Sequence, residues 1–402
     1  MSSRTSVVWG LGIAQTLAWA SSYYLPAILA VPMARDLGVS TPTVFAAFSV
    51  ALVVSAVLGP AAGKTIDRYG GRPVLTATSL VFALGLAAIG LAQGPVGLFT
   101  GWIILGVAMA AGLYEAAFAT LVRLYGKDAR STITGITLLA GFASTVGWPL
   151  STWLELEWGW RAACLTWAGL HLVVALPLNW VLPSAPRAAP GHAAHPSHPP
   201  AETDSTRPPA SPATAATRTA FLLATVFAVT WFISTAMAAH LPRLLQANGV
   251  TLATALLFAG LVGPAQVAGR VLEYSLLRHV HPLISARAAA GMHTLGAGLF
   301  LLGGVPLGAL FTVLHGAGNG VLTIAKGTLP LVLFGTRDYG ARQGLLMVPA
   351  RFAQASAPWL FGLALDHFGG AALWFSAALG LVGLTALLLL RDTQATADSA
   401  RS

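Results

Sequence analysis

The sequence predicts an all-α protein that crosses a membrane twelve times, as two pseudo-symmetric six-helix bundles. Three observations predict it: an apolar composition, a lopsided distribution of cations, and a change of composition near the middle of the chain. Of 402 residues, 56% are hydrophobic and 9% charged, against roughly 25% charged in soluble domains. In lipid the backbone must satisfy its own hydrogen bonds, so an apolar run of about 20 residues reads as a spanning helix.

Six such runs occupy 7–31, 42–62, 74–92, 96–121, 131–154 and 162–182. The first is too long and too aromatic for a cleavable leader, and no small-residue cleavage site follows it. Lys64, Arg68 and Arg72 separate the second run from the third, and Arg123, Lys127 and Arg130 separate the fourth from the fifth. Six more runs occupy 219–241, 251–272, 286–304, 306–331, 343–365 and 371–390. With the N-terminus inside, 17 of the 22 Lys and Arg residues fall on the cytoplasmic side and only Arg35, Arg161 and Arg243 outside; Lys326 and Arg351 lie within helices. That is the positive-inside pattern. It predicts a multi-pass protein of a bacterial cytoplasmic membrane with both termini cytoplasmic. The net charge of +9 is thereby a topology signal and excludes nucleic acid as a partner; the lipid bilayer and a small molecule are the partners expected, and the protein is expected to be a monomer.

Between 183 and 218 the chain is rich in Pro, Ala, Ser, Thr and His and nearly devoid of large apolar residues. Such a segment cannot bury enough surface to fold, so it reads as a disordered cytoplasmic linker between bundles at 1–182 and 219–402. Its His192, His195 and His198 read as biased composition, not a metal site. Cys164 is the single cysteine, which excludes an intrachain disulfide, and no metal or cofactor is expected.

The six-plus-six layout invites a search for a repeat. A shift of 209 residues aligns Leu124–Gly126 with Leu333–Gly335, Gly135 with Gly344, Pro149 with Pro358 and Glu157 with Asp366. "GPAAGKTID" (59–67) also resembles "GPAQVAGRVLE" (263–273) with two residues inserted.

The stretch "GKTIDRYGGR" (63–72) puts four charged side chains in ten residues, in the predicted short cytoplasmic loop between helices two and three. Gly63 and Gly70 permit a tight turn and close helix approach. Asp67 can meet a neighbouring helix N-terminus or an arginine, while Arg68 and Arg72 face the anionic leaflet. The cluster reads either as a breakable cytoplasmic latch or as a solvated positive-inside loop. Gly63, Asp67, Arg68, Gly70 and Arg72 resemble the G-x-x-x-D-R-x-G-x-[RK] loop of the major facilitator superfamily, in its place between helices two and three. Gly71 departs from that pattern, standing where a basic residue is common. The resemblance implies the major facilitator fold and secondary active transport by alternating access, with cargo held between the halves. The region 125–163, with its basic loop, Gly-rich helix, Pro and Gly-Trp-Arg, is similar to the monocarboxylate and oxalate/formate-like group, which implies an organic anion as cargo. Exporters of drugs and metalloid compounds share the general look, so an efflux carrier is the alternative.

A charge in the bilayer costs at least about 2.5–3.5 kcal/mol at a helix centre, so survivors face a cavity or a partner. Arg351 sits about 13 Å inside its helix at 1.5 Å per residue; it would bind an anionic group or pair with Glu115 across the halves. Lys326, in the tenth helix, would bind anion or snorkel. Glu115 is the candidate for carrying a coupling proton. His240, His293 and His315 could relay protons or serve as packing residues. Tyr23 and Tyr24, in "WASSYYLP" (19–26), cannot share a helix face, which predicts one on the path and one at the outer interface. Asn319 and Gln266 could line the cavity or mediate packing. An embedded enzyme would need a nucleophile or a paired acid and base; His279 and His281 are the nearest candidates and no Cys or Asp accompanies them. The chain therefore reads as a transporter rather than an enzyme.

Overall fold

The computed structural model describes residues 3–184, 212–277 and 280–390. Most of the expected linker, with its three histidines, and His279 lie outside the described residues. The first pass is α1 (Arg4–Ser21) followed by α2 (Pro26–Asp36), broken over 22–25. Pro26 opens α2 at a position where its missing N–H costs nothing. The second and third passes are α3 (Thr41–Tyr69) and α4 (Gly71–Gly90). The fourth is α5 (Pro95–Gly112) with α6 (Tyr114–Tyr125), and the fifth begins with α7 (Ala129–Ala140). Next, α8 (Ala143–Leu170) runs through Pro149 and breaks at Gly159, whose φ of 81° is not helical. The stretch before Gly159 completes the fifth pass, and the stretch after it, with a π-turn and α9 (Leu176–Trp180), makes the sixth.

The second half opens with α10 (Pro212–Ala247), so helix begins at 212 and not after 218 as the composition suggested. Then come α11 (Leu252–Gly260) and α12 (Val262–Leu272), α13 (Pro282–Gly303), α14 (Gly308–Phe334), α15 (Tyr339–Phe368) and α16 (Ala372–Leu389). Among the described residues, eight stretches are long and apolar enough to cross a membrane by length and composition. One of them, Pro95–Trp180, holds three passes and another, Tyr339–Leu389, holds two. With Pro282–Gly303, the described residues make twelve helical runs in two groups of six, the arrangement that the sequence predicted.

The aligned Leu-Tyr-Gly and Leu-Phe-Gly triplets occupy matching places. Gly126 ends α6 with φ 59° and donates its N–H to the Val122 carbonyl, and Gly335 ends α14 with φ 77° and donates to Leu331. Both stops need a left-handed residue, which glycine supplies without a Cβ clash. Large apolar side chains such as Leu84, Val173, Leu257 and Leu302 stand exposed on the outside of the bundle, as a lipid-facing surface requires. Between the halves, α3 lies along α15, and α7 meets α12 and α14.

Candidate functional site

The break between α5 and α6 builds the centre of the molecule. At Leu113 the backbone turns extended, and the Gly112 carbonyl left without a helical donor accepts from Gln15 Nε2 at 2.7 Å. The restart places Glu115 in the first turn of α6, where the helix N-terminus favours a carboxylate. Glu115 Oε2 accepts from Arg351 Nη2 at 2.9 Å, joining the first half to α15, and Arg351 Nη1 donates to Gln354 Oε1 at 3.0 Å. Arg351 is only 3% exposed. The ammonium of Lys326, also buried, stands 3.8 Å from the ring centroid of Trp231 on α10, and the Arg351 guanidinium lies 5.4 Å from the same centroid.

A third cation joins them. Arg270 of α12 is 5% exposed, and its Nε and Nη1 have no hydrogen-bond partner among the described residues. Its guanidinium crosses to the first half and lies against Gly141 at the end of α7; a Cβ there would collide with Nη1. Arg351 thus pairs with Glu115 and shares the Trp231 ring with Lys326, and Arg270 is a further buried cation where the halves meet. A buried charge is costly unless it is paired, and here three basic side chains are buried with a single carboxylate placed against one of them.

Aromatic rings surround the charges. Trp19 and Trp231, one from each half, lie nearly parallel at 8° with centroids 6.0 Å apart. Tyr114 stands 4.9 Å from Trp19, and Tyr23 is 6.2 Å from Trp231 and 3.2 Å, oxygen to oxygen, from Thr235 of α10. A cavity of about 10 Å³, lined by Ser55, Glu115, Met347 and Arg351 among others, is the open space at the ion pair.

The tyrosines correct an expectation. Because the first pass unwinds over 22–25, Tyr23 and Tyr24 both turn toward Trp19, at 5.4 and 6.4 Å, and meet each other at 5.3 Å. The regular-helix argument that separated them fails at the break. Lys326 does not snorkel, since it is 5% exposed. Asn319 lies elsewhere: it lines a cavity of about 30 Å³ inside the second half, with Thr230, His293 and His315. There His293 Nδ1 is 3.0 Å from His315 Nδ1, and its Nε2 is 2.9 Å from Ser376 Oγ. Gln266 is half-buried, and its main-chain carbonyl packs so closely on Gly320 that a Cβ there would collide. His240 Nε2 is 2.8 Å from the Pro358 carbonyl oxygen. His281 Nδ1 accepts from Leu283 N at 3.2 Å, capping α13.

The Gly63–Arg72 stretch is not a loop. Helix α3 continues to Tyr69, and only Gly70, at φ 88°, separates it from α4. Asp67 Oδ1 and Oδ2 accept from the backbone N–H groups of Gly340 and Ala341 at 2.9 and 2.7 Å. The carboxylate therefore sits on the N-terminus of α15, where the helix dipole favours it. Arg123 donates to the Asp67 carbonyl oxygen. A Cβ on Gly63 would collide with the Gly340 main chain, and one on Gly71 with Thr120, which accounts for glycine at the departing position. Arg68 is exposed over Tyr69, and Arg72 turns to Ser184 at 3.2 Å and to the Trp180 ring. At the same end, Arg130 of α7 pairs with Glu273 at 3.2 Å across the halves. At the other end, Gly159-Trp160-Arg161 clamps the first pass: Trp160 Nε1 donates to Asp36 Oδ2 at 3.1 Å and Arg161 donates to the same oxygen.

Two contributors escaped the sequence reading, and a third, Arg270, stood in it only as a basic residue at the cytoplasmic end of the eighth helix. Arg270 sits near the end of an apolar run and counts there as a topology cation; the signal available was a basic residue still inside that run. Trp231 and Gly141 gave no signal, because their roles arise only when the halves meet.

The relatives agree with this architecture. A protein of Thermoproteus tenax described as an uncharacterized 38 kDa protein in the 23S RNA operon is 28% identical over 371 residues, covering 91% of each chain. Multidrug resistance protein MdtH of Salmonella paratyphi B is 29% identical over 133 residues, 32% of this chain and 31% of that protein. The crystal structure of the human organic anion transporter MFSD10 superposes with a TM-score of 0.70 at 16% identity, over 96% of this chain and 98% of that one. The proton:xylose symporter XylE superposes with a TM-score of 0.71 at 15% identity, over 97% of both chains. The family model of the Major Facilitator Superfamily matches residues 11–305. With its matched sequence, its two six-helix groups and the contact of Asp67 with the start of α15, the chain belongs to the major facilitator superfamily.

Proposed function

We propose that the protein is a secondary active transporter that carries a small organic anion across the cytoplasmic membrane by alternating access, with residues 1–182 and 219–402 rocking about the central chamber. The observation that carries this reading is the surplus of cations: Arg270, Lys326 and Arg351 against Glu115, all where the halves meet. Arg351 anchors the anion with a planar fork of donors suited to a carboxylate, Lys326 adds a point charge, and the rings of Tyr23 and Tyr24 form the wall. Glu115 competes with cargo for Arg351, so a proton on Glu115 frees the guanidinium for the anion and couples proton to cargo. Asp67 with Gly63 and Gly70 is the latch that holds the cytoplasmic end shut, with Arg68 and Arg72 at the membrane surface. The protein works as a monomer and performs no covalent chemistry.

A thermal-shift screen of purified protein against organic acids, followed by liposome flux with the best binder, tests this. Stabilisation by organic acids that disappears in Arg351→Ala is the expected result; a mutant that transports at the normal rate removes the anchor. Flux with the same pH dependence in Glu115→Gln removes that carboxylate from coupling. Efflux of a drug is the second reading, favoured by the aromatic ring cluster and the partial likeness to MdtH. A deletion strain that becomes sensitive to toxicants, with the protein indifferent to organic acids, would select it.

A further inference from the structure

The anion reading leaves the body of the cargo unspecified, and the rings at the centre constrain it. Trp19 and Trp231 belong to opposite halves and lie nearly parallel, 8° apart with centroids at 6.0 Å. Tyr23 also reaches Trp231 across the same boundary. When the halves part, these contacts break, and flat aromatic faces are left without partners. Both indole N–H groups are buried with no hydrogen-bond partner among the described residues. They are donors only, as are the free nitrogens of Arg270. Lys326 and Arg351 stand at the face of the Trp231 ring. The chamber therefore offers flat apolar walls, unpaired donors and, at the Trp231 ring itself, two cations.

Resting on the anion reading above, we propose that the cargo is a planar, ring-bearing carboxylate. Its ring takes the place of the Trp19–Trp231 contact between the halves, and its carboxylate takes donors from Arg351 and Lys326. A small aliphatic anion would satisfy the cations and leave the indole faces wet. An arene covers them in the offset-stacked or edge-on geometries that aromatic pairs favour. The electron-poor edge and acidic head of such a cargo match, in turn, the ring faces and the cations. A cationic aromatic drug fits the walls and is repelled by the charges.

The test compares carboxylates of equal charge and nearly equal size that differ in flatness. Purified full-length protein is titrated with benzoate and cyclohexanecarboxylate, and with acetate as a ringless monoanion, with binding read by thermal shift and calorimetry. Benzoate is expected to bind about tenfold more tightly than cyclohexanecarboxylate, the upper end of the preference an aromatic pair confers. Trp231→Leu should abolish that preference and Trp231→Phe should keep most of it. Equal binding of benzoate and cyclohexanecarboxylate, or acetate binding as well as benzoate, overturns the ring clamp while leaving the positive chamber standing. Failure of every carboxylate to bind overturns both. The comparison on the unaltered protein decides the matter even if the tryptophan variants do not fold.

Discussion

Arg351 is held on two sides, by Glu115 from the first half and by Gln354 one turn along its own helix. Removing one partner of a buried pair strands the other charge and costs about 3–5 kcal/mol, whereas replacing both with apolar groups is often neutral. Arg351→Met and Glu115→Met are each expected to lower the melting temperature, and the double variant to recover most of the loss; thermal unfolding in detergent reads this. Equal losses that simply add would mean that the two side chains do not depend on each other. Gly141 gives a second residue-scale prediction. A side chain there meets the Arg270 guanidinium, so Gly141→Val should displace it and weaken anion binding by tenfold or more, at about 1.4 kcal/mol per decade, while Gly169→Val, at an open position, should not.

At the scale of elements, the joint between α3 and α15 is main chain against main chain, with Asp67 capping the start of α15. Loss of a capping carboxylate costs about 0.5–2 kcal/mol. In Asp67→Ala the amides of Gly340 and Ala341 should exchange with deuterium several-fold faster, read by mass spectrometry, with α16 unchanged as the internal control. Sequence carried the elements unevenly. The runs of apolar residues gave the passes because lipid admits few alternatives to helix. The breaks were poorly legible. At Leu113 nothing but a pair of small residues marks the interruption, since its stabilising donor, Gln15, lies 97 positions away. The unwinding at 22–25 likewise brought both tyrosines to Trp19, where periodicity had set them apart. Asp67 was legible as a helix-capping acid, but the helix it caps was not, because α15 is 273 residues distant.

For the whole molecule, the distribution of cations makes a claim about orientation that labelling can check. In a Cys164→Ala background, the exposed positions Arg35 and Arg68 become single reporters as Arg35→Cys and Arg68→Cys. A membrane-impermeant maleimide applied to intact cells should modify the first and reach the second only after permeabilisation; the reverse pattern would invert the topology. The central chamber was the least legible part. Arg351, Lys326 and Glu115 stand out as charges in apolar runs, so composition marked them. Arg270, Gly141 and Trp231 become partners only through the docking of two halves, and one strand of letters carries no trace of that docking.

The abutment of Gly59 and Gly63 on Gly344 and Gly340 governs how the latch end can come apart. Interlocking side chains would have to withdraw knob by knob, each dragging its rotamers through a crowded intermediate. Bare peptide faces have nothing to unthread, so once the Asp67 and Glu273 attachments let go, the seam can open as a hinge opens, all along its length at once. Under the proposed rocking of the halves, the speed of parting at this seam would be set by a few polar fastenings rather than by friction across the joint.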